Sequence, residues 1–93
     1  MDLKFGAWSE RKVPLLGDPA WDVFKSVFSK LIGCEYELTA YYTQVVSGTN
    51  YCFEMNVTPI VPNAQKAQKW SLVYKPNDGE AVLKGFFDTL PIK

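Results

Sequence analysis

The side chains of this sequence that could do chemistry are two cysteines, Cys34 and Cys52, and ten carboxylates. The sequence contains no histidine. A Ser-His-Asp triad, a Cys-His protease pair and a His-ligated metal site are therefore excluded. Two thiols are also too few for a disulfide framework or a four-thiolate zinc site. We expect a protein that is not an enzyme, with no catalytic residue, no metal and no other cofactor.

The carboxylates do not suggest a catalytic pair. Glu35, Glu37 and Glu54 alternate with apolar residues, so they are expected on the solvent faces of strands. Two carboxylates without a defined cleft do not make a glycosidase.

Cys52 has no Lys or Arg near it in the sequence that would lower its pKa, so an inert thiol is expected. An enzyme that uses carboxylate or tyrosine chemistry stays open as a third interpretation.

One amphipathic helix is predicted in the first third of the chain. Asp18-Pro19 is a signal for the start of a helix. The Asp18 carboxylate can accept hydrogen bonds from the unpaired N–H groups of the first turn, and Pro19 loses no hydrogen bond at the first helical position, where an N–H group has no partner in the helix. Apolar residues then recur at helical spacing over Ala20–Ile32 and form one wide stripe. Gly33 is the residue expected to end the helix as its C′ position.

The rest of the chain has the two-residue period of β-strands. It is clearest at residues 51–58, where apolar side chains alternate with polar ones. Hairpin turns are predicted at residues 47–49 and 76–79. Tyr36, Leu38, Ala40 and Tyr42 form one face of an earlier strand, and later strands are expected at residues 70–74 and 81–87. A short strand is predicted near residues 7–12.

These elements predict an α+β fold in which one amphipathic helix packs across a four- or five-stranded antiparallel sheet. Residues 1–93 are expected to form a single domain, with residues 1–6 as a flexible arm. Cys52 would point away from the helix that Cys34 follows, so no disulfide between them is expected unless a bulge changes the register. The side chains expected to face the helix are those of Tyr51, Phe53, Met55 and Val57.

The composition limits the partners. Ten basic and ten acidic residues give zero net charge, which argues against electrostatic binding to nucleic acid or to an anionic membrane. No run of eighteen apolar residues is present, so no membrane span is expected. Residues 1–20 lack a signal-peptide pattern, which favours a cytoplasmic location. A mature secreted form with an added Met1 stays open.

The first hairpin has an unusual tip, because it is apolar just before its turn. Val45 and Val46 are β-branched and stiff, and Gly48 allows a backbone shape that a Cβ would oppose. A rigid, narrow and uncharged tip suits insertion into a groove of another protein. An ordinary hairpin whose valines pack on the body of the domain is the alternative.

The tip also resembles a known motif. Gln44-Val45-Val46-Ser47-Gly48 matches the Gln-x-Val-x-Gly pattern of the cystatin family, and residues 49–51 continue the match towards stefins, the single-domain cystatins without disulfides. The motif lies on the first hairpin after the helix, and a second hairpin follows, which is the order in cystatins. The resemblance covers the chain from the helix to about Phe87.

The resemblance implies a function. Cystatins are reversible, tight-binding inhibitors of papain-like cysteine proteases, and they plug the active-site cleft without a covalent bond. Three elements do this: an N-terminal arm with a glycine, the first hairpin and the second hairpin. The protease-binding residues implied here are Phe5 and Gly6 in the arm, Gln44, Val45, Val46, Ser47 and Gly48 in the first hairpin, and Pro76 and Asn77 in the second.

The second hairpin departs from the pattern of many cystatins. Many cystatins carry Pro-Trp in the second hairpin, whereas this chain has Pro76-Asn77 and, like stefins, retains only the proline. A non-inhibitory protein-binding module on a cystatin fold is therefore the alternative function. A monomer is expected, and a domain-swapped dimer is possible because a strained hairpin can act as a hinge. Such a dimer would open the turn and lose the inhibitory tip.

Overall fold

A computed structural model describes residues 7–92 of the protein. Within this range the chain forms one helix, α1 (Pro19–Phe28), and four strands, β1 (Cys34–Val46), β2 (Gly48–Pro59), β3 (Ala67–Lys75) and β4 (Val82–Phe87). The strands form one antiparallel sheet in chain order. The predicted α+β architecture is confirmed at this level, with four strands. No helix among residues 7–92 is long and apolar enough to cross a membrane.

The core lies between α1 and one face of the sheet. Phe24 and Phe28 stack at 4.7 Å between ring centroids, and both meet Phe53 of β2 edge-on, at 5.4 Å and 6.3 Å. Phe28 also meets Phe86 of β4 at 5.9 Å, so one helix side chain touches both the centre and the edge of the sheet. These aromatic contacts fix the helix across the sheet, since large rings contribute most of the buried apolar area.

The helix is shorter than the sequence predicts. It ends at Phe28 with Ser29 as C-cap, so Gly33 is not its C′ residue, and the Ile32 side chain is 93% exposed. The chain must leave the helix early to reverse into β1. The predicted start is correct, with Asp18 as N-cap and Pro19 as the first helical residue, but the Asp18 carboxylate makes no capping bond to α1. It accepts the Leu15 N–H at 2.8 Å and the Tyr41 hydroxyl at 3.2 Å instead.

The two-residue period of β2 is confirmed. Tyr51, Phe53 and Met55 are buried in the core below α1. Cys52, between them in sequence, is fully buried on the opposite, outer face of the sheet. Cys34 is half-buried at the start of β1, and both cysteines are free, as the register predicts.

The predicted face of β1 is correct only in its first half. The pairing of β1 with β2 shifts between Leu38 and Ala40. After the shift it is Tyr41, not Tyr42, that belongs to the core cluster with Leu38. Tyr42 pairs with Cys52 on the outer face. One extra residue in a strand reverses the face of every side chain that follows it.

Two other predictions need correction. The segment of residues 7–12 forms isolated bridges to β1, Trp8 with Gln44 and Lys12 with Tyr41, rather than a fifth strand. Glu54 is not on a solvated face. It is 7% exposed, and its carboxylate accepts two hydrogen bonds from Arg11.

Candidate protein-binding site

The turn of the first hairpin is as tight as its sequence suggests. Ser47 joins β1 to β2, and Val46 pairs directly with Gly48 across the turn. Gly48 has a φ of +100°, a conformation that residues with a Cβ rarely adopt. Val45 keeps 61% of its surface exposed just before the turn. An apolar side chain is therefore presented to solvent at the end of a stiff hairpin.

The second hairpin lies directly against this turn. Gly48 is buried, and a Cβ built on it would lie 2.6 Å from the Lys75 carbonyl oxygen and 3.0 Å from the Pro76 Cα. The Tyr74 hydroxyl donates a hydrogen bond to the Ser47 carbonyl oxygen. The two hairpins lie together here because the register of β2 with β3 pairs Thr49 with Lys75. We call the two neighbouring tips, residues 44–48 and 75–77, the tip edge.

Gln44 is placed in the base of the first tip. Its side-chain oxygen accepts a hydrogen bond of 2.8 Å from the Asn50 side-chain amide, and these two residues pair across β1 and β2. Its backbone also forms the bridge to Trp8. Gln44 thus connects the first hairpin with the segment of residues 7–12.

The N-terminal segment reaches the same end of the sheet. The Ser9 N–H donates to the Thr43 carbonyl oxygen at 2.7 Å, and the Thr43 N–H donates to the Ser9 hydroxyl at 2.9 Å. The bridge between Trp8 and Gln44 follows on from this pair. The two arm residues of the predicted site, Phe5 and Gly6, lie outside the described residues.

The second tip contributes Pro76 and Asn77. Pro76 is half-buried against Gly48, and its carbonyl oxygen accepts a hydrogen bond of 2.8 Å from the Lys75 ammonium group. Asn77 is exposed. The structure therefore brings the predicted residues 44–48 together with Pro76, while Asn77 extends beyond them.

Sequence reasoning missed two residues of this region, Tyr74 and Lys75, which make the contacts between the two tips. For Trp8 it left open packing on the sheet or contact with a partner, and Trp8 bridges to the first hairpin. Tyr74 belongs to a strand alternation that indicates only which face it occupies. No local pattern signals that its hydroxyl meets a carbonyl group 27 residues earlier in the chain.

The surroundings of Cys52 decide what chemistry its thiol can do. Burial raises the pKa of the Cys52 thiol to about 12, with a smaller contribution from the Glu54 charge. Since a nucleophilic cysteine must be a thiolate, this thiol is inert near neutral pH. Among the described residues, no group of three or more His, Cys, Asp or Glu side chains is placed to hold a metal ion.

Comparisons of the chain with protein-family models, with curated proteins and with solved structures give no match. Function must therefore be inferred from the residues of the tip edge and their contacts.

Proposed function

We propose that this chain is a stefin-like cystatin, a reversible and non-covalent inhibitor of papain-like cysteine proteases. The tip edge and the arm residues Phe5 and Gly6 enter the active-site cleft and block it. The observation that supports this most is the packing of Gly48 on Lys75 and Pro76, because it joins the Gln-Val-Val-Ser-Gly tip and the second tip into one edge.

Rigidity and apolar surface at this edge support tight binding. A surface that is already formed loses little conformational entropy when it binds. The first tip is held from both sides, by the hydrogen bond of Tyr74 to Ser47 and by the pairing of Asn50 with Gln44. The exposed Val45 side chain provides apolar area for the contact. The protease keeps its own catalytic groups unmodified, since blocking the cleft requires no bond to them.

The absence of an aromatic residue at the second tip favours the alternative function, a protein-binding module on the same fold that does not inhibit. Asn77 stands exposed where many cystatins carry tryptophan. Buried aromatic side chains often contribute most of the binding energy of an interface. A partner other than a protease would then bind the same edge.

Titration of papain and of a cathepsin-type protease with the purified monomer separates these two functions. We expect stoichiometric inhibition of fluorogenic-substrate cleavage with a nanomolar or tighter constant, full recovery of activity on dilution, and an uncleaved chain after dissociation. Val45→Glu, which places a charge on the exposed apolar position of the first tip, is the negative control. A folded monomer that fails to inhibit at micromolar concentration would contradict the inhibitor proposal and favour the binding module.

Inhibition should also depend on the oligomeric state, because the turn at Ser47 exists only when β1 and β2 pair within one chain. A dimer that exchanges strands through this turn must straighten it, which would separate Gly48 from Lys75. We expect such a dimer to be inactive as an inhibitor. Light scattering together with the inhibition assay checks this, and an active strand-exchanged dimer would contradict it.

A further inference from the structure

An ion pair with a buried carboxylate and a half-exposed guanidinium attaches the N-terminal segment to the sheet. The Arg11 guanidinium donates to both oxygens of the Glu54 carboxylate, with an Nη2 to Oε2 distance of 2.6 Å and an Nε to Oε1 distance of 3.3 Å. This is the two-point geometry in which arginine binds a carboxylate most strongly. It lies on the outer face of the sheet, away from α1.

Glu54 depends on this contact. The residue is 7% exposed, and within residues 7–92 both hydrogen bonds to its carboxylate come from Arg11. A buried carboxylate that loses its partner becomes strongly destabilising. The β1 residue that pairs with Glu54 is Ala40, so the side chain beside Glu54 on β1 is a small one. The guanidinium can therefore reach across β1 to β2.

The rest of the segment meets β1 through its backbone, and the Lys12 ammonium group also lies 5.9 Å from the centre of the Tyr41 ring. Its backbone meets β1 at the Trp8 and Lys12 bridges and at the Ser9 pair with Thr43. Arg11 lies between these points, and half of its side chain is exposed. Its bond to Glu54 therefore connects this short, partly exposed segment to the second strand of the sheet.

We propose that the Arg11–Glu54 pair fixes the N-terminal segment beside the first tip, which makes both residues positioning residues for the inhibitory arm. This role rests on the proposed function. With the pair intact, residues 7–12 are already held beside the first tip, where Trp8 bridges to Gln44. Without the pair, residues 7–12 must be ordered when a protease binds, and each ordered residue adds an entropy cost.

The first experiment needs no protease. Amide hydrogen exchange of the Ser9 and Lys12 N–H groups, both bonded to β1, reports directly on the segment. We expect exchange to be at least about ten-fold faster in Arg11→Ala and in Glu54→Gln, because a two-point bond to a charged group is lost. A loss of overall stability also speeds exchange of the core amides of β2, so the expected result is a larger increase at Ser9 and Lys12 than at those amides. Unchanged exchange at Ser9 and Lys12 in both variants would overturn the proposal.

Glu37→Gln is the matched control. Glu37 also pairs with a basic residue, Lys66, at 3.7 Å, but both side chains are largely exposed. Replacing this glutamate by glutamine should therefore change neither the exchange rates in the N-terminal segment nor the inhibition constant, because exposed ion pairs contribute little to stability. Faster exchange at Ser9 in this control would show a general effect of charge and would overturn the assignment to Glu54.

The second experiment tests positioning through a double-mutant cycle between Arg11→Ala and Phe5→Ala. We expect Arg11→Ala alone to weaken inhibition about ten-fold, mainly through faster dissociation. It should have a clearly smaller effect when Phe5 is already alanine, because the arm then has less contact to lose. Independent, multiplicative effects would mean that Arg11 does not act through the arm.

The outcomes distinguish the two proposals. If the wild-type chain does not inhibit, the proposed function fails and the positioning role fails with it. If the wild-type chain inhibits but the two substitutions act independently, only the positioning role is overturned. Arg11→Lys gives a further check, since it keeps the charge and loses the two-point geometry, so it should inhibit at a level between the wild type and Arg11→Ala.

Discussion

Gly48 and Lys75 meet where the two hairpins touch, so that a Cβ on Gly48 would lie 2.6 Å from the Lys75 carbonyl oxygen. The glycine of the first tip is thus required for two reasons. Its φ of +100° disfavours a side chain, and the second hairpin leaves no space for one. A change at this position must therefore move one tip away from the other.

We expect Gly48→Ala to destabilise the fold and to weaken inhibition at least about ten-fold, since backbone strain of about 1–3 kcal/mol is joined by a direct clash. Gly33→Ala is the matched control, because Gly33 has a φ of +99° and nothing within 4 Å of its Cβ position. It should show a loss of stability from strain and normal inhibition. Urea unfolding and protease titration measure the two effects. If Gly48→Ala inhibits like the wild type, contact between the tips is not needed for function.

Tyr74→Phe isolates the hydrogen bond between the hairpins. Removal of the hydroxyl that donates to the Ser47 carbonyl should cost about 0.5–1.5 kcal/mol of stability and weaken inhibition several-fold, because the first tip gains freedom. Tyr36→Phe, which removes a hydroxyl near the opposite end of β1, is the control and should inhibit normally. The inhibition constants of the two variants, measured side by side, test this prediction. Equal inhibition constants would show that this hydrogen bond does not stiffen the site.

Ser71→Ala should stabilise the protein. Ser71 is fully buried on β3 between Phe53 and Phe86, and its hydroxyl finds no hydrogen-bond partner among the residues described. Removing an unsatisfied polar group from an apolar site is expected to raise the free energy of unfolding by about 1 kcal/mol. Ser26→Ala, whose hydroxyl donates to the Val23 carbonyl at 2.8 Å, should not be stabilising. A lower melting temperature for Ser71→Ala would show that the hydroxyl is satisfied in solution.

Stability should fall in alkaline solution. The pKa of Cys52 is about 12 in the folded chain against a usual 9.0, so between these values the unfolded chain has lost a proton that the folded chain keeps. The stabilisation that comes from this difference in pKa is therefore fully present below pH 9. Above pH 9 the free energy of unfolding falls by up to about 1.4 kcal/mol per pH unit. Burial raises the pKa of Tyr51 as well, which acts in the same direction. Urea midpoints from pH 8 to 11 should decline less steeply for Cys52→Ala, and an identical slope would exclude Cys52 as a cause.

The sequence predicted the elements that depend on local pattern. The alternation at residues 51–58 identified the core face of β2 correctly, and Phe53 and Met55 are fully buried there. The four strands of the sheet and both turns are predictable for the same reason, since alternation and turn residues are local signals, whereas the strand expected near residues 7–12 forms only isolated bridges. The length of α1 was overestimated, because Leu31 and Ile32 continue the apolar stripe while the chain turns away at Ser29.

Features set by distant parts of the chain could not be predicted. The shift in β1 is hidden by adjacent tyrosines, because Tyr41 and Tyr42 satisfy either face equally well. At this shift the Thr39 hydroxyl donates to the Glu54 carbonyl oxygen at 3.0 Å.

The burial of Glu54 depends on Arg11, 43 residues earlier. In the same way the motif identified residues 44–48, whereas the contact of Gly48 with Lys75 required the register of β2 with β3.

The length of β1 has a practical consequence for experiments. Its thirteen residues separate the half-buried thiol of Cys34 from Val46 by roughly 40 Å, at about 3.3 Å per residue. The second thiol, Cys52, is fully enclosed and remains protonated at neutral pH. A maleimide dye or a surface linker should therefore react at a single position in the native sequence. It would leave the two tips free to meet a partner, and no engineered cysteine would be needed.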